Sequence, residues 1–157
     1  MIELNHKIKD SLIKIQFINR YESLSNAFSA ERTPPSKRLI YIDGEEVMEM
    51  IQKMGYTPEF DSKEKFFKIL EEHIDKYTFG VHIILQDGMV DMVWIVKEKA
   101  ELILGAPWGT YSRRLINSSY RIKKPVFGTY EDLEEILKIA FLMYEDFKSV
   151  LVEGLWW

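Results

Sequence analysis

An α+β fold, with an antiparallel β-meander of three or more strands packed against helices and a long C-terminal helix, follows from three features of the sequence. In residues 79–96, two apolar runs flank Asp87-Gly88. Asp-Gly between alternating apolar residues is a strong hairpin signal, because both central residues of a type I′ turn need positive φ. A second feature is the stripe Leu133, Ile136, Leu137, Ala140, Tyr144, Phe147 and Leu151, the apolar face a long helix turns toward a sheet. The third is the β-like run 100–104, close enough behind the hairpin to pair as its antiparallel neighbour.

The elements follow in chain order. Residues 4–28 carry Ile8, Leu12 and Ile15, with Phe17 and Leu24 further on, at roughly helical spacing, although 12–18 also reads as a strand. Thr33-Pro34-Pro35-Ser36 makes 29–37 a loop, since each proline restricts its own φ and its predecessor. A short β-like run, 39–42, stops at Asp43-Gly44, and 45–54 reads as a helix with Gly55 beyond its end. Asp61 with Glu64 has capping-box spacing and predicts a helix over 61–75, with Phe66, Leu70, His73 and Tyr77 on one side. The two-residue turn then sets the hairpin register: Gln86 opposite Met89, Leu85 opposite Val90, Ile83 opposite Met92, Val81 opposite Trp94 and Phe79 opposite Val96. That face is apolar, and the other is mixed, with His82 and Asp91 as diagonal neighbours. Residues 105–109 end the third strand. Thr129 and Asp132 have capping-box spacing and open a helix running to about residue 152, with Gly154 as its stop. Trp108-Gly109-Thr110-Tyr111 echoes Phe127-Gly128-Thr129-Tyr130, which reads as a reused helix entry or chance rather than a repeat.

A chain of 157 residues suits one domain over 1–157, burying roughly 70% of its unfolded surface. At 46% hydrophobic and 13% aromatic, the composition excludes a disordered chain. The absence of cysteine removes disulfides, thiolate metal sites and thiol nucleophiles. Glu3, Lys7, Lys9, Asp10 and Lys14 interrupt the first twenty residues, and no run approaches a membrane span. The expectation is a soluble, cytoplasmic protein that does not engage membrane. No His-Glu-x-x-His motif, clustered aspartates, glycine-rich phosphate loop or Gly-x-Ser-x-Gly is present, so no metal, cofactor or catalytic residue is assigned.

Charge is segregated. Residues 41–76 hold ten acidic and five basic side chains, 109–124 hold five basic and no acidic ones, and 125–157 hold seven acidic and two basic. The basic stretch interleaves Tyr111, Arg113, Arg114, Tyr120, Arg121, Lys123 and Lys124, types that bind phosphate by charge and bases by stacking. Five charges in an acidic chain make a modest footprint, and nucleic acid is not the expected partner. His82 and Asp91, with Arg113 or Arg114 as an anion anchor, form an alternative ligand or enzyme site, because a carboxylate beside an imidazole holds its tautomer. On the final helix, Leu142 projects opposite the apolar stripe among Glu135, Lys138, Glu145 and Asp146, with Ile139 at the edge. A leucine ringed by carboxylates has the anatomy of a small hot spot with a charged rim, suited to a basic protein. Leu155-Trp156-Trp157 ends the chain with aromatics that either fold back behind the last helix or stay free for a partner.

A helical N-terminal half comes first, then a meander around Leu85-Gln86-Asp87-Gly88-Met89-Val90. Phe127-Gly128-Thr129-Tyr130-Glu131-Asp132-Leu133 leads into an acidic, aromatic-rich helix through Tyr144-Glu145-Asp146-Phe147. This order of parts resembles the small immunity proteins that bacteria encode beside polymorphic or contact-dependent toxins. The resemblance implies a non-enzymatic, cytoplasmic protein without cofactor that binds a co-encoded toxin domain and occludes its active site or an essential surface. Glu135, Glu145 and Asp146 with Leu142 are the contacts it suggests, and a basic nuclease the toxin. The basic stretch departs from a purely acidic mimic of nucleic acid.

Overall fold

The computed structural model describes residues 3–154, so the Leu155-Trp156-Trp157 expectation lies outside the described residues. Five strands form one antiparallel sheet in sequential order, β1 (Pro58–Asp61), β2 (Phe66–Ile74), β3 (Tyr77–Gln86), β4 (Met89–Glu98) and β5 (Glu101–Pro107). The α+β meander expected from the sequence is present, with two more strands than were assigned. Among the described residues no helix is long and apolar enough to cross a membrane.

The β3–β4 pairing keeps every pair derived above, from Gln86 opposite Met89 to Phe79 opposite Val96. Asp87 and Gly88 have φ of 56° and 73°, the positive values the turn type demands. Gly88 also has a packing role, because a Cβ there would lie 2.6 Å from the Arg38 Cβ.

Two helix readings are corrected. Residues 61–75 are not a helix: Asp61 closes β1, and its side chain accepts from the Lys63 and Glu64 amides at 3.1 and 2.9 Å. The same two bonds that open a helix here cap a hairpin turn, which Lys65 completes at φ 59°. Phe67 and Ile69 then alternate into the core, whereas His73 and Leu70 of the expected helical stripe are exposed, Leu70 to 68%. Residues 4–28 are two helices, α1 (His6–Lys14) and α2 (Phe17–Ala27), broken at Gln16, whose φ is 58°. On one straight helix Phe17 would sit about 180° around from Ile8, yet both are buried. The left-handed residue turns the second helix so that both faces reach one core.

The helix α3 (Gly44–Lys53) starts on the Asp43 side chain, α4 (Trp108–Leu115) follows β5 directly, and α5 (Tyr130–Glu153) starts on the Thr129 hydroxyl. The sequence reading had no α4. The two echoed tetrapeptides both open helices but out of step: α4 begins at Trp108 and α5 at Tyr130. All seven residues of the predicted α5 stripe are buried. They face a sheet core centred on Trp94, whose ring stacks on Phe147 at 5.0 Å and meets Trp108 and Phe17 edge-on at 5.3 and 5.8 Å. The other sheet face carries His82, Ile84, Asp91, Val93 and Ile95, all half-buried.

Candidate interaction surface

Helix geometry distributes the five residues predicted on α5 unequally. Leu142 is 59% exposed and Glu135 is exposed, while Ile139 is half-buried against the core. Asp146 pairs with Arg20 of α2 at 2.8 Å. The Glu145 carboxylate accepts from the Tyr56 hydroxyl at 2.6 Å and pairs with Lys148 at 2.9 Å. Burial and this carboxylate push the Tyr56 phenol above its usual range. Glu145 and Asp146 therefore brace α5 against its neighbours, and Leu142 with Glu135 keeps the outward position.

The structure adds a helix that the sequence left unconnected. The Asp43 amide, at the start of α3, donates to the Tyr130 hydroxyl, at the start of α5, at 2.9 Å. Just past the end of α3, Tyr56 stacks on Phe141 with 4.1 Å between ring centroids. The two helices thus run side by side in one direction. Outward lie Glu45, Glu46 and Glu49 of α3 and Glu131 and Glu135 of α5, all exposed. Among the described residues no cation stands within 4 Å of these five, and the nearby Glu134 pairs with Lys138 at 3.0 Å. Glu45, Glu46 and Glu131 lie in first turns, where the helix dipole favours them. Glu49 and Glu135 lie beyond it and lack that local reason.

In the segment that enters α3 stand Ile40, 45% exposed, and Tyr41, 92% exposed, just ahead of the Asp43–Tyr130 bond that ties the starts of α3 and α5. Their stem is fixed on both sides. The Leu39 amide donates to the Phe127 carbonyl at 3.1 Å, the Arg38 Nε to the Thr33 carbonyl at 3.3 Å, and Asp43 is held by Tyr130. Gly128 lies so close that a Cβ would be 2.6 Å from the Lys37 carbonyl oxygen. Tyr41 escaped sequence reasoning because 39–42 reads as a strand, whereas the structure leaves it irregular ahead of α3 and pairs it with no strand among the described residues. The acidic excess of 41–76 was the available signal for α3.

The alternative site does not assemble in this way. His82 lies opposite Val93 and Asp91 opposite Ile84, as derived, but the His82 ring stacks on Phe66 at 4.2 Å. Burial, and then the Lys68 charge, lowers its pKa. Asp91 pairs with Lys124 at 3.5 Å, and Arg113 bonds the Thr110 hydroxyl of its own helix at 3.1 Å. Arg114 has a buried Nε without a partner among the described residues. The tyrosines of the basic stretch are also engaged: Tyr111 is fully buried, and Tyr120 donates to Glu22 at 2.5 Å. Among the described residues no group of three or more His, Asp or Glu is arranged to hold a metal ion.

Comparison of the chain with protein-family models, with curated proteins and with solved structures finds no match.

Proposed function

We propose that this chain is a binding protein of the immunity type, which neutralises a co-encoded basic toxin domain by covering it with the outer face of α3 and α5. One observation carries the reading. A rigidly based Tyr41, 92% exposed, leads into the joined starts of α3 and α5, whose exposed Glu45, Glu46, Glu49, Glu131 and Glu135 have no cation within 4 Å among the described residues. Tyrosine is enriched among the few residues that dominate interface energetics, and a charged rim steers encounter and selects the partner. Fixing the stem before binding reduces the ordering cost of the complex. Leu142 extends the apolar part of the surface along α5. The mechanism needs affinity alone: the bound face excludes the toxin's substrate.

The test is co-purification with the product of the adjacent gene, together with growth rescue when that product is expressed alone. A stable complex and rescue support the reading. If the neighbour is neither bound nor toxic, immunity is rejected.

A further inference from the structure

Lys148 is the most buried charge in the described chain. Its side chain is 6% exposed, and its ammonium is held between Glu72 of β2 and Glu145 of α5, 4.5 Å from the Tyr144 ring centroid. A bulge in β2 brings Glu72 there: the register shifts between Ile69 and Glu72, placing Glu72 opposite the buried Phe79. Bulges re-aim side chains in this manner. Over the cluster opens a cleft of about 520 Å³, bounded by residues 54–57, 69–72, Tyr144, Glu145 and Lys148.

The hydrogen bonding of the two glutamates is incomplete. Both are about half-exposed, and the partners of each fall on a single oxygen: Tyr56 and Lys148 on Glu145 Oε2, and Lys148 on Glu72 Oε1. Glu145 Oε1 and Glu72 Oε2 have no partner among the described residues. Each carboxylate can accept further bonds through its free oxygen. Glu72 and Glu145 against one ammonium, with Glu71 also on the cleft wall, leave an excess of negative charge, which repels an anion. A divalent metal ion would lie beside the Lys148 ammonium. A delocalised cation on an apolar stem suits both the negative charge and the walls, where Leu70, 68% exposed, stands at the rim.

We propose that this cleft receives an arginine side chain from the basic partner. A guanidinium is planar and donates through a fork, so one group can bond both free oxygens while its methylenes lie along Leu70. The biological ligand rests on the preceding reading of a basic protein partner, while the cleft's preference for a guanidinium rests on its own geometry.

The experiment is an amide chemical-shift titration of the whole protein with N-acetyl-arginine methylamide, and in parallel with the uncharged citrulline counterpart. The expected result is saturable shifts over 54–57, 69–72 and 144–148 with the arginine probe, and at least tenfold weaker binding of the citrulline probe. Glu72→Gln and Glu145→Gln should each weaken the arginine probe at least tenfold. Leu70→Lys, at a position exposed enough to leave folding intact, should do the same by placing an ammonium at the mouth. Shifts that fail to saturate, that citrulline reproduces, or that centre on the outer face of α3 would overturn the proposal. Saturable arginine binding without a complex with the neighbouring gene product keeps the cleft and rejects immunity. A complex without saturable probe binding does the reverse.

Discussion

The Tyr111 hydroxyl lies 3.0 Å from both the backbone nitrogen and the carbonyl oxygen of Trp94, accepting from one and donating to the other. A phenol from α4 thereby satisfies both backbone groups of the residue at the centre of the core, near the end of β5. Burial raises the Tyr111 pKa far above the ordinary phenol range, so it stays a neutral donor and acceptor. Tyr111→Phe keeps the ring and strands the Trp94 N–H and C=O. The expected loss is about 1–3 kcal/mol, the usual penalty for buried unsatisfied groups, read from urea denaturation with an unchanged slope.

Two glycines should respond in opposite directions. At Gly128 a Cβ would fall 2.6 Å from the Lys37 carbonyl oxygen and 3.0 Å from the Thr33 Cγ2, so Gly128→Ala must displace the stem of the Tyr41 loop. A destabilisation of about 1–3 kcal/mol is expected, the range for overpacking. At Gly44, the first residue of α3, nothing lies within 4 Å of the added carbon. Gly44→Ala should stabilise by about 0.4–1 kcal/mol by restricting the unfolded chain. Thermal melts of the two variants beside the parent decide both.

Tyr41→Ala tests the interaction surface with little disturbance of the fold, because the side chain is 92% exposed. Its melting temperature should match the parent, while its complex with the co-encoded partner weakens roughly 30-fold, the scale of a hot-spot truncation. Equal binding by parent and variant would remove Tyr41 from the interface. Glu135→Lys should slow association and reverse the salt dependence at that position.

His82 predicts a pH dependence of stability. Burial and Lys68 lower its pKa in the folded state below the ordinary value of 6.5. As pH falls through 6.5 the unfolded chain takes up a proton that the folded chain refuses, so stability is lost until the folded-state value is also passed. Replacing the ring by His82→Gln should flatten that part of the profile between pH 7 and 5. If chemical denaturation gives parent and variant the same loss of stability between those two pH values, His82 does not contribute.

Legibility of the sequence followed the range of the interactions. The β3–β4 register was readable because a two-residue turn with positive φ at Asp87 and Gly88 fixes every later pair. The α5 boundaries were readable because Thr129 and Gly154 cap it within a few residues. Asp61 was misread because its carboxylate caps two amides in a hairpin turn as readily as in a first helical turn. On α5, periodicity identified Leu142 as outward, but the partners of Glu145 and Asp146 lie on Tyr56 and Arg20, distant in sequence.

The sequence by itself determined the α+β class, the central hairpin and the last helix, since each is specified by turn chemistry, capping or a stripe within one segment. Tertiary structure alone decided that 58–74 pairs as strands, that Gln16 breaks the first helical segment, and that Lys148 is buried beneath a bulge. It also brought α3 beside α5, with Tyr41 just ahead of their joined starts. The physical reason is common to these cases: local free energies nearly balance between alternatives, and the contact that chooses among them comes from residues far along the chain.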